Sequence, residues 1–295
     1  MKKIRLKQIQ YHVAYRKREN EISNEKFIVI KNNYNTWAAD PFLFEYENKT
    51  YIFAEMWLYR LNRGVIGYSE WNGKGFSKWH PIIIENYHLS YPNVFQIGDD
   101  IFMCPESNES GEIYLYKAIN FPEKWEKSTI LFSGGKYVDT TFFQNGLDTY
   151  GFTYHLLSGG KNSKGELLLF RLKEGVIDFC KDNPVTDDDS IARPAGNCLC
   201  EMGKMYRVSQ DCKESYGHGL VFSEMSFEND KYEEKVVRKY YPKDFKLSIK
   251  LNYIGVHTFN QSENFQVIDL RSNDFSVKLL FFRIYNKIVK FWTRR

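Results

Sequence analysis

The stretch Asp40-Pro-Phe-Leu-Phe44, followed after a turn by Tyr51-Ile-Phe-Ala-Glu55, decides the fold of this chain, because versions of it recur. Each version opens on a polar or aromatic residue, runs through a short apolar segment, turns, and returns through a second apolar segment. The five versions open at Asp40, Tyr91, Asp139, Arg193 and His257, and close at Glu55, Glu106, Tyr154, Gln210 and Asp269. The openings lie 51, 48, 54 and 64 positions apart, which is close to the length of one four-stranded propeller blade.

Each version is predicted to be a β-hairpin, since aromatic and β-branched runs flank turn sequences such as Asn145-Gly146 and Met202-Gly203. A hairpin returns its last residue beside its first, so the opening and closing residues of each version are predicted to be neighbours. In a propeller the innermost strand of every blade lines the central channel. The five openings are therefore predicted to meet at one end of that channel.

The last version lacks outer strands, because only about two strands fit between His257 and Asp269. The N-terminal segments Ile4–Gln10 and Lys26–Ile30 are predicted to complete this blade and close the ring, which removes exposed sheet edges. The chain is thus predicted to be an all-β, five-bladed β-propeller over residues 1–272, followed by a C-terminal amphipathic helix over residues 273–295.

The two ends of the chain differ in the pattern of their apolar residues. Residues 275–295 combine basic side chains with apolar ones at helical spacing. They are predicted to form a basic amphipathic helix on an anionic membrane surface, with docking on the propeller or on a partner subunit as the alternative. The N-terminus is basic but lacks the apolar core of a signal peptide. The expected location is therefore cytoplasmic, peripheral at the inner face of the membrane.

Composition argues against several function classes. The 41 basic and 37 acidic residues give a net charge of only +4, which argues against nucleic acid as the main partner. Five cysteines, an odd number, fit a reducing compartment. The spacing of Cys198, Cys200, Cys212 and His218 matches no standard zinc site, and Asp187-Asp188-Asp189 is only a formal Asp-x-Asp match. No metal, glycine-rich nucleotide loop or other cofactor site is predicted.

An ordered series of motifs carries a family resemblance. It includes Trp37-Ala-Ala-Asp-Pro-Phe-Leu-Phe44, Leu89-Ser-Tyr-Pro-Asn-Val-Phe95, Ala192-Arg-Pro-Ala-Gly196 and His257-Thr-Phe-Asn260. Over residues 37–270 the chain resembles the propeller domain at the N-terminus of plant glucosamine inositolphosphorylceramide transferases, which has stand-alone relatives in bacterial surface-polysaccharide gene sets. More distantly, it resembles the five-bladed glycosidases of the arabinanase and β-xylosidase family.

The glycosidase resemblance implies three catalytic carboxyl groups. In those inverting enzymes an Asp base on the first blade works with a second Asp and with a Glu acid, and inversion needs two carboxyl groups about 6.5 to 9.5 Å apart. The resemblance places Asp40 as the base and Asp139 as the second aspartate. Arg193 stands where that pattern calls for the glutamate, and an arginine cannot donate a proton at neutral pH. Glu106 is the substitute acid.

The channel mouth is thus predicted to hold three catalytic carboxylates, Asp40, Asp139 and Glu106. The predicted substrate-binding residues are Arg193, His257, Gln210, Tyr91, Glu55, Trp37, His155 and Asp211. Arginine's planar fork suits phosphate, although a structural ion pair between Arg193 and Glu106 is an alternative. The aromatic rings of Trp37, Trp57, Tyr91 and Tyr216 are predicted to stack on sugar rings, with an ordinary place in the core as the alternative for each.

Three functions remain open at this point. Carboxylates beside a phosphate-binding arginine favour a glycosyltransferase that uses an activated phospho-sugar in bacterial surface polysaccharide or glycolipid biosynthesis. Its expected partners are a sugar or nucleotide-sugar substrate and a lipid-linked or glycan acceptor. The alternatives are an inverting glycoside hydrolase or phosphorylase, and a non-catalytic glycan-binding propeller. Fold alone does not decide among them.

Overall fold

Five antiparallel sheets follow one another around a central channel in the computed structural model of this chain. The structure describes residues 7–18, 26–157, 164–173, 175–228, 231–250 and 252–275, together with 281, 284 and 285. Each sheet contains four or five strands and forms one blade. The predicted all-β, five-bladed propeller is confirmed.

The strands succeed one another blade by blade. Two strands precede the first blade: β1 (Lys7–Lys17) and β2 (Ile28–Val29). Blade 1 contains β3 (Thr36–Tyr46), β4 (Lys49–Leu58), β5 (Arg63–Glu70) and β6 (His80–Ile83). Blade 2 contains β7 (Ser90–Ile97), β8 (Asp100–Glu106), β9 (Glu112–Asn120) and β10 (Lys124–Ser133). Blade 3 contains β11 (Tyr137–Asn145), β12 (Asp148–Leu156), β13 (Gly165–Lys173) and β14 (Val176–Phe179).

The inner strand is divided in the last two blades. Blade 4 contains β15 (Arg193–Pro194), β16 (Leu199–Glu201), β17 (Lys204–Asp211), β18 (Gly219–Glu228) and β19 (Lys231–Tyr240). Blade 5 contains β20 (Tyr253–Gly255), β21 (Phe259–Gln261) and β22 (Phe265–Phe275). Strands β15 and β16 both pair with β17, and β20 and β21 both pair with β22. Each divided pair of strands therefore takes the place of one continuous inner strand.

The N-terminal strands complete blade 5, as predicted. Strand β1 pairs antiparallel with β22 along its whole length, from Lys7 opposite Phe275 to Lys17 opposite Phe265, and β2 pairs with β1. The paired segments differ from the predicted ones, since β1 continues to Lys17 and β2 has only two residues. Residues before Lys7 lie outside the described part of the chain. Both chain ends thus share one sheet, which leaves no gap in the ring.

An irregularity recurs at the same place in three inner strands. In β3, β7 and β11, two residues stand opposite one residue of the next strand, directly after Ala39, Ser90 and Val138 respectively. The residue that follows is in each case the predicted opening residue, and its φ is positive: 49° for Asp40, 45° for Tyr91 and 52° for Asp139. Bulges of this kind redirect a side chain. Strained backbone at equivalent positions is a reason to look for function there.

Three asparagines hold the blades together inside the channel. Asn93 accepts a hydrogen bond from the Phe142 N–H at 2.9 Å and donates to the Asn197 side-chain oxygen at 2.7 Å. Asn260 accepts from the Asn197 N–H at 2.9 Å and donates to the Pro41 carbonyl at 2.6 Å. The side chains of Asn93 and Asn260 are fully buried. Their hydrogen bonds satisfy backbone N–H and C=O groups that the irregular inner strands leave without a strand partner. All five blades are linked through this network.

The predicted C-terminal helix falls almost wholly on residues outside the described part of the chain. Of residues 276–295, only Phe281, Ile284 and Tyr285 are described; their backbone is helical and their side chains are exposed. The basic amphipathic helix therefore stays a prediction. The predicted start of this segment at residue 273 is too early, because β22 runs to Phe275 and its last three residues pair with β1. None of the described helical residues belongs to a segment with the length and hydropathy needed to cross a membrane.

Candidate active site at the channel mouth

Hydrogen bonds and charges connect side chains from all five blades at one end of the channel. Arg193 pairs with Gln210 and Ser90 with Glu106 across their hairpins, while Glu55 lies opposite Ala39. The closing residue of each hairpin therefore lies beside its opening residue, as predicted. We call the following side chains the mouth cluster: Asp40, Glu106, Asp139, Arg193, Gln210, His257 and Asp269.

Asp40 lies on the bulge of β3 and is almost completely buried. Its Oδ1 accepts a hydrogen bond from the Thr258 hydroxyl at 3.0 Å, and its Oδ2 accepts one from the Tyr91 N–H at 3.3 Å. Burial raises the pKa of Asp40 to about 6, with a further contribution from Asp269 and opposition from the charge of His257. Asp40 is thus ionised at pH 7 but basic enough to accept a proton.

His257 and Asp269 form a buried pair beside Asp40. The Nδ1 of His257 lies 2.6 Å from Asp269 Oδ2 and 3.7 Å from Asp40 Oδ1. Burial alone would lower the pKa of His257, but the carboxylates of Asp269 and Asp40 outweigh it and the net pKa is raised. Asp269 also accepts the N–H groups of His257 at 3.1 Å and Thr258 at 3.0 Å. The raised pKa favours the protonated imidazole, whose charge would be shared between the carboxylates of Asp269 and Asp40.

These residues are also the candidates for holding a cation. Asp40, His257 and Asp269 each offer one ligand atom, and the three atoms lie within 4.8 Å of one another. The contact of 2.6 Å between His257 and Asp269 has the length of a charge-assisted hydrogen bond. A protonated His257 would already supply the positive charge that the two carboxylates need.

Asp139 and Arg193 pair across blades 3 and 4. The Nε of Arg193 donates to Asp139 Oδ2, and the Gln210 amide donates to the same oxygen at 3.5 Å. The guanidinium also lies over the ring of Tyr216, 4.8 Å from its centroid. Within the described part of the chain, the terminal nitrogens of Arg193 have no hydrogen-bond partner. Its side chain is 19% exposed, so these nitrogens are available to an anionic ligand.

Glu106 lies next to this pair without bonding to it. Its Oε2 accepts a hydrogen bond from the Ser90 hydroxyl at 2.9 Å. Burial and, after it, the charge of Asp139 raise the pKa of Glu106 to about 7, although Arg193 opposes the shift. The carboxyl group therefore retains a proton at much higher pH than an ordinary glutamate does. The ion pair proposed from the sequence between Arg193 and Glu106 is replaced by one between Arg193 and Asp139.

Two of the four predicted stacking residues, Tyr91 and Trp37, are enclosed. Tyr91 is fully buried: its ring packs on Phe42, and its hydroxyl accepts from the Gly196 N–H at 2.6 Å. A sugar ring cannot reach it, because none of its surface is accessible. Trp37 is 9% exposed and lies between Tyr11 and Trp57. Its neighbour Trp57 is the ring of this group that borders a cavity.

Two predicted binding residues have their hydrogen bonds outside the mouth cluster. His155 stacks on Tyr137 and lies 3.1 Å from Glu166. Asp211 accepts from the Tyr241 hydroxyl at 3.1 Å and lines a cavity beside blade 4. Asp211 directly follows Gln210, so this cavity lies close to the cluster. His155 pairs with Tyr137 at the start of β11. The binding roles of His155 and Asp211 stay predictions.

Sequence reasoning assigned no role to three residues of the site. Asp269 was predicted only as the closing residue of its hairpin, although it lies 2.6 Å from His257. Thr258 donates to Asp40 at 3.0 Å, and Tyr11 stacks on His257 with ring centroids 4.8 Å apart. Thr258 was visible within the motif that opens at His257, but its hydroxyl could have faced either way. Tyr11 lies one residue beyond the N-terminal strand predicted from the sequence. Its place became apparent only when β1 was found to extend along all of β22.

Comparisons with known proteins identify the family. Residues 25–272 match the family described as glucosamine inositolphosphorylceramide transferase 1, N-terminal. This chain belongs to that family. The glucosamine inositolphosphorylceramide transferase 1 of Arabidopsis thaliana is 31% identical over 256 residues, which cover 82% of this chain and 32% of the plant protein. The protein of the same name from Oryza sativa subsp. indica is 31% identical over 192 residues and 62% of this chain.

The chain therefore spans about a third of the length of its Arabidopsis relative. Solved structures with a similar fold are glycoside hydrolases. Zg3597, a family 117 glycoside hydrolase from Zobellia galactanivorans, has a TM-score of 0.57 at 10% identity and covers 92% of this chain and 91% of its own. The catalytic domain of a GH62 α-L-arabinofuranosidase from Coprinopsis cinerea has a TM-score of 0.57 at 10% identity, with coverages of 81% and 92%. At these identities the likeness concerns the fold.

Proposed function

We propose that the mouth cluster is the active site of a glycosyltransferase that takes its sugar from an activated phospho-sugar. The observation that carries the proposal is the meeting of Asp40, Glu106, Asp139 and Arg193, from four different blades, in one largely buried cluster. Carboxyl groups with raised pKa values beside a partly exposed arginine are typical of catalytic sites. A propeller core alone does not need buried, strained carboxylates.

In this proposal Asp40 is the base. Its carboxylate removes the proton of an acceptor hydroxyl, whose oxygen then bonds to the anomeric carbon of the donor sugar while the bond to the phosphate oxygen breaks. The electron pair of that broken bond leaves with the phosphate. The terminal nitrogens of Arg193, held in place by Asp139, stabilise the charge that develops on the departing group.

A cavity beside the cluster supports an anionic donor. It has a volume of about 620 Å³ and is lined by Asp211, the last residue of β17. Its lining contains three lysines, Lys213, Lys239 and Lys243, against two acids, Asp211 and Glu214. Lysine ammonium groups bind phosphate as point charges. The donor's phosphate would therefore lie on the blade 4 side of the mouth, with its sugar toward Asp40.

The biological setting is part of the proposal. A bacterial surface polysaccharide or glycolipid pathway supplies a lipid-linked or glycan acceptor, and residues 276–295 hold the enzyme at the cytoplasmic face of an anionic membrane. Co-sedimentation of the chain with anionic lipid vesicles, compared with a version that ends at Phe275, tests the membrane part. Equal sedimentation of both versions would contradict it.

The proposed activity is tested with a panel of donors and acceptors. Purified protein is incubated with nucleotide sugars and polyprenyl-phosphate-linked sugars, together with glycan and glycolipid acceptors, and products are identified by mass spectrometry. We expect one donor to yield both a glycosylated acceptor and a free phosphate-containing product in equal amounts. Release of free sugar without any glycosylated acceptor would contradict transfer and support hydrolysis.

The pH dependence of the rate follows from the raised pKa of Asp40. A base acts in its deprotonated form, so the rate is expected to fall as the pH decreases through about 6, where burial has placed the pKa of Asp40. An unperturbed aspartate would keep its activity down to about pH 4. Initial rates measured between pH 4.5 and 9 check this. A rate that stays constant between pH 5 and 7 would contradict Asp40 as the base.

Hydrolysis or phosphorolysis by an inverting mechanism is the second candidate, and Glu106 is the observation that favours it. With a pKa raised to about 7, Glu106 can supply the proton that a sugar leaving group needs. An acid acts in its protonated form, so this mechanism adds a second decline in rate as the pH rises through about 7. The alkaline side of the same profile therefore separates the two reactions.

A non-catalytic, glycan-binding propeller is the third candidate. It is favoured by the extent of the similarity, because two thirds of the Arabidopsis protein lie outside the aligned region. Under this candidate, glycan binding would persist after Asp40 and Asp139 are both replaced by asparagine. No donor in the panel would be turned over by the unmodified chain.

A further inference from the structure

A cavity of about 500 Å³ opens between blades 1 and 2, on the other side of the mouth from the lysine-lined cavity. Among the side chains that line it are Trp57, Asn62, Arg63, Asn86, His88 and Glu109. Its size lies within the range of small-molecule sites. Aromatic, amide and charged groups on one wall can bind a ligand that has both apolar faces and polar edges.

Trp57 connects this cavity to the mouth cluster through stacked rings. It lies parallel to Trp37, with ring centroids 5.5 Å apart and an interplanar angle of 6°. Trp37 packs on Tyr11 at 5.0 Å, and Tyr11 stacks on His257 at 4.8 Å. Trp57 is therefore held rigidly at the end of a row of rings. A ring fixed in this way can receive a flat apolar surface without losing side-chain entropy.

His88 has a defined hydrogen-bonding role in this cavity. The N–H of Gly64 donates to Nδ1 of His88 at 2.9 Å, so Nδ1 is an acceptor and the ring proton is on Nε2. Burial lowers the pKa of His88, which keeps the ring neutral. Its Nε2 lies 3.7 Å from Glu55 Oε1, beyond hydrogen-bond distance. The Nε2–H is thus available to a ligand.

Glu55 is a buried carboxyl group with an unsatisfied oxygen. Its side chain is 7% exposed, and within the described part of the chain Oε1 has no hydrogen-bond partner. Leaving such an atom unpaired is destabilising. Burial, followed by the charges of Asp40 and Glu106, raises its pKa well above the usual value. Glu55 is not among the side chains that line the cavity, so it supports His88 from behind and does not contact a ligand there.

Gly64 packs closely against both Glu55 and His88. A Cβ at this position would lie 2.6 Å from Glu55 Oε1 and 2.7 Å from His88 Cε1. Both distances are shorter than any normal contact, so only glycine lets the backbone approach the two groups and donate its N–H to His88 Nδ1. This packing fixes the His88 ring at the edge of the cavity.

We propose that this cavity is a saccharide-binding subsite for one neutral pyranose unit. The apolar face of the sugar ring stacks on Trp57, and one of its hydroxyl groups accepts from His88 Nε2–H. The amides of Asn62 and Asn86 lie on the same wall and contribute polar contacts. We assign the bound sugar to the acceptor, because the cavity lies on the side of the mouth opposite the proposed donor phosphate. This assignment rests on the proposed function.

The test uses the full chain and methyl glycosides of glucose, N-acetylglucosamine and arabinofuranose as probes. Tryptophan fluorescence is titrated in the unmodified chain, in Trp57→Phe and in the matched control Trp71→Phe. Trp71 is also half-buried and packed on aromatic rings, but on the far side of blade 1. We expect a pyranoside to quench the unmodified chain and Trp71→Phe, and to leave Trp57→Phe unquenched.

Affinity is then measured by saturation-transfer NMR. Trp57→Ala is expected to raise the Kd roughly fivefold to tenfold, as loss of one aromatic contact implies, while the methyl arabinofuranoside binds more weakly than the pyranosides.

Quenching that persists in Trp57→Phe, or no pyranoside binding at all, would overturn the subsite. Binding that depends on Trp57 without any transfer would discard the proposed function alone. Transfer with unchanged KM for the acceptor in Trp57→Ala would discard the subsite alone.

Discussion

Replacement of Asp40 by asparagine is expected to lower the rate of glycosyl transfer by about 100-fold to 10,000-fold, the usual contribution of a general base. The amide has nearly the same shape as the carboxylate but cannot take a proton from the acceptor hydroxyl. Its oxygen can still accept the Thr258 hydroxyl, which is bonded to Asp40 at 3.0 Å. The measurement is kcat at pH 7.5, with the donor and acceptor that the panel identifies.

Two further measurements separate loss of the base from loss of the fold. Asp100→Asn is the matched control, since Asp100 lies on β8 and pairs with Lys117 at the surface; it should retain full activity. Added formate should restore part of the activity of Asp40→Ala, because a small carboxylate can enter the space and act as base. A kcat for Asp40→Asn within tenfold of the unmodified chain would exclude Asp40 from this role.

The ring of blades was predictable because hairpin signals repeat at blade length. The limits of β1 were not. His12 and Arg16 interrupt the apolar run and argued against a signal peptide, but in the structure they alternate with the buried Tyr11, Val13 and Tyr15. This alternation is a strand signal. It becomes informative only when a partner strand is known, and that partner, β22, lies about 250 residues away.

The convergence of the opening residues was also predictable, since it follows from hairpin geometry. The direction of individual side chains was not. The bulges at Asp40, Tyr91 and Asp139 have the same backbone irregularity, yet the aspartates bond within the mouth cluster and the tyrosine is buried in the wall. Size and polarity decide between these outcomes after the bulge has formed. The pairing of Arg193 with Asp139 depends on the same local geometry.

Arg207 shows a larger failure of sequence reasoning. It lies on β17 among residues that resemble an ordinary exposed strand, but only 1% of its surface is accessible. The guanidinium donates two bonds to the Glu234 carboxylate, at 2.7 and 2.6 Å, and one to the Ile191 carbonyl at 2.8 Å. The Tyr232 hydroxyl donates to the same carboxylate at 2.6 Å. Glu234 lies two strands away on β19, so no local sequence pattern predicts that it pairs with Arg207.

Replacement of Arg207 by methionine is therefore expected to destabilise the fold by about 3–5 kcal/mol, the usual effect of removing one member of a buried ion pair. Methionine keeps much of the side-chain volume but leaves the Glu234 carboxylate, itself 11% exposed, without its counter-charge. The interaction with the face of Phe152, whose centroid lies 5.6 Å from the guanidinium, is lost as well. Urea unfolding followed by tryptophan fluorescence measures the change in free energy.

The same sheet provides the control. Arg238 on β19 pairs with Glu201 at 3.2 Å, but the two side chains are 40% and 28% exposed, so Arg238→Met should cost less than about 1 kcal/mol. Adding Glu234→Gln to Arg207→Met should recover part of the loss, because an amide is cheaper to bury than an unpaired carboxylate. Equal stability of Arg207→Met and Arg238→Met would contradict this explanation. So would a double variant, Arg207→Met with Glu234→Gln, that is no more stable than Arg207→Met alone.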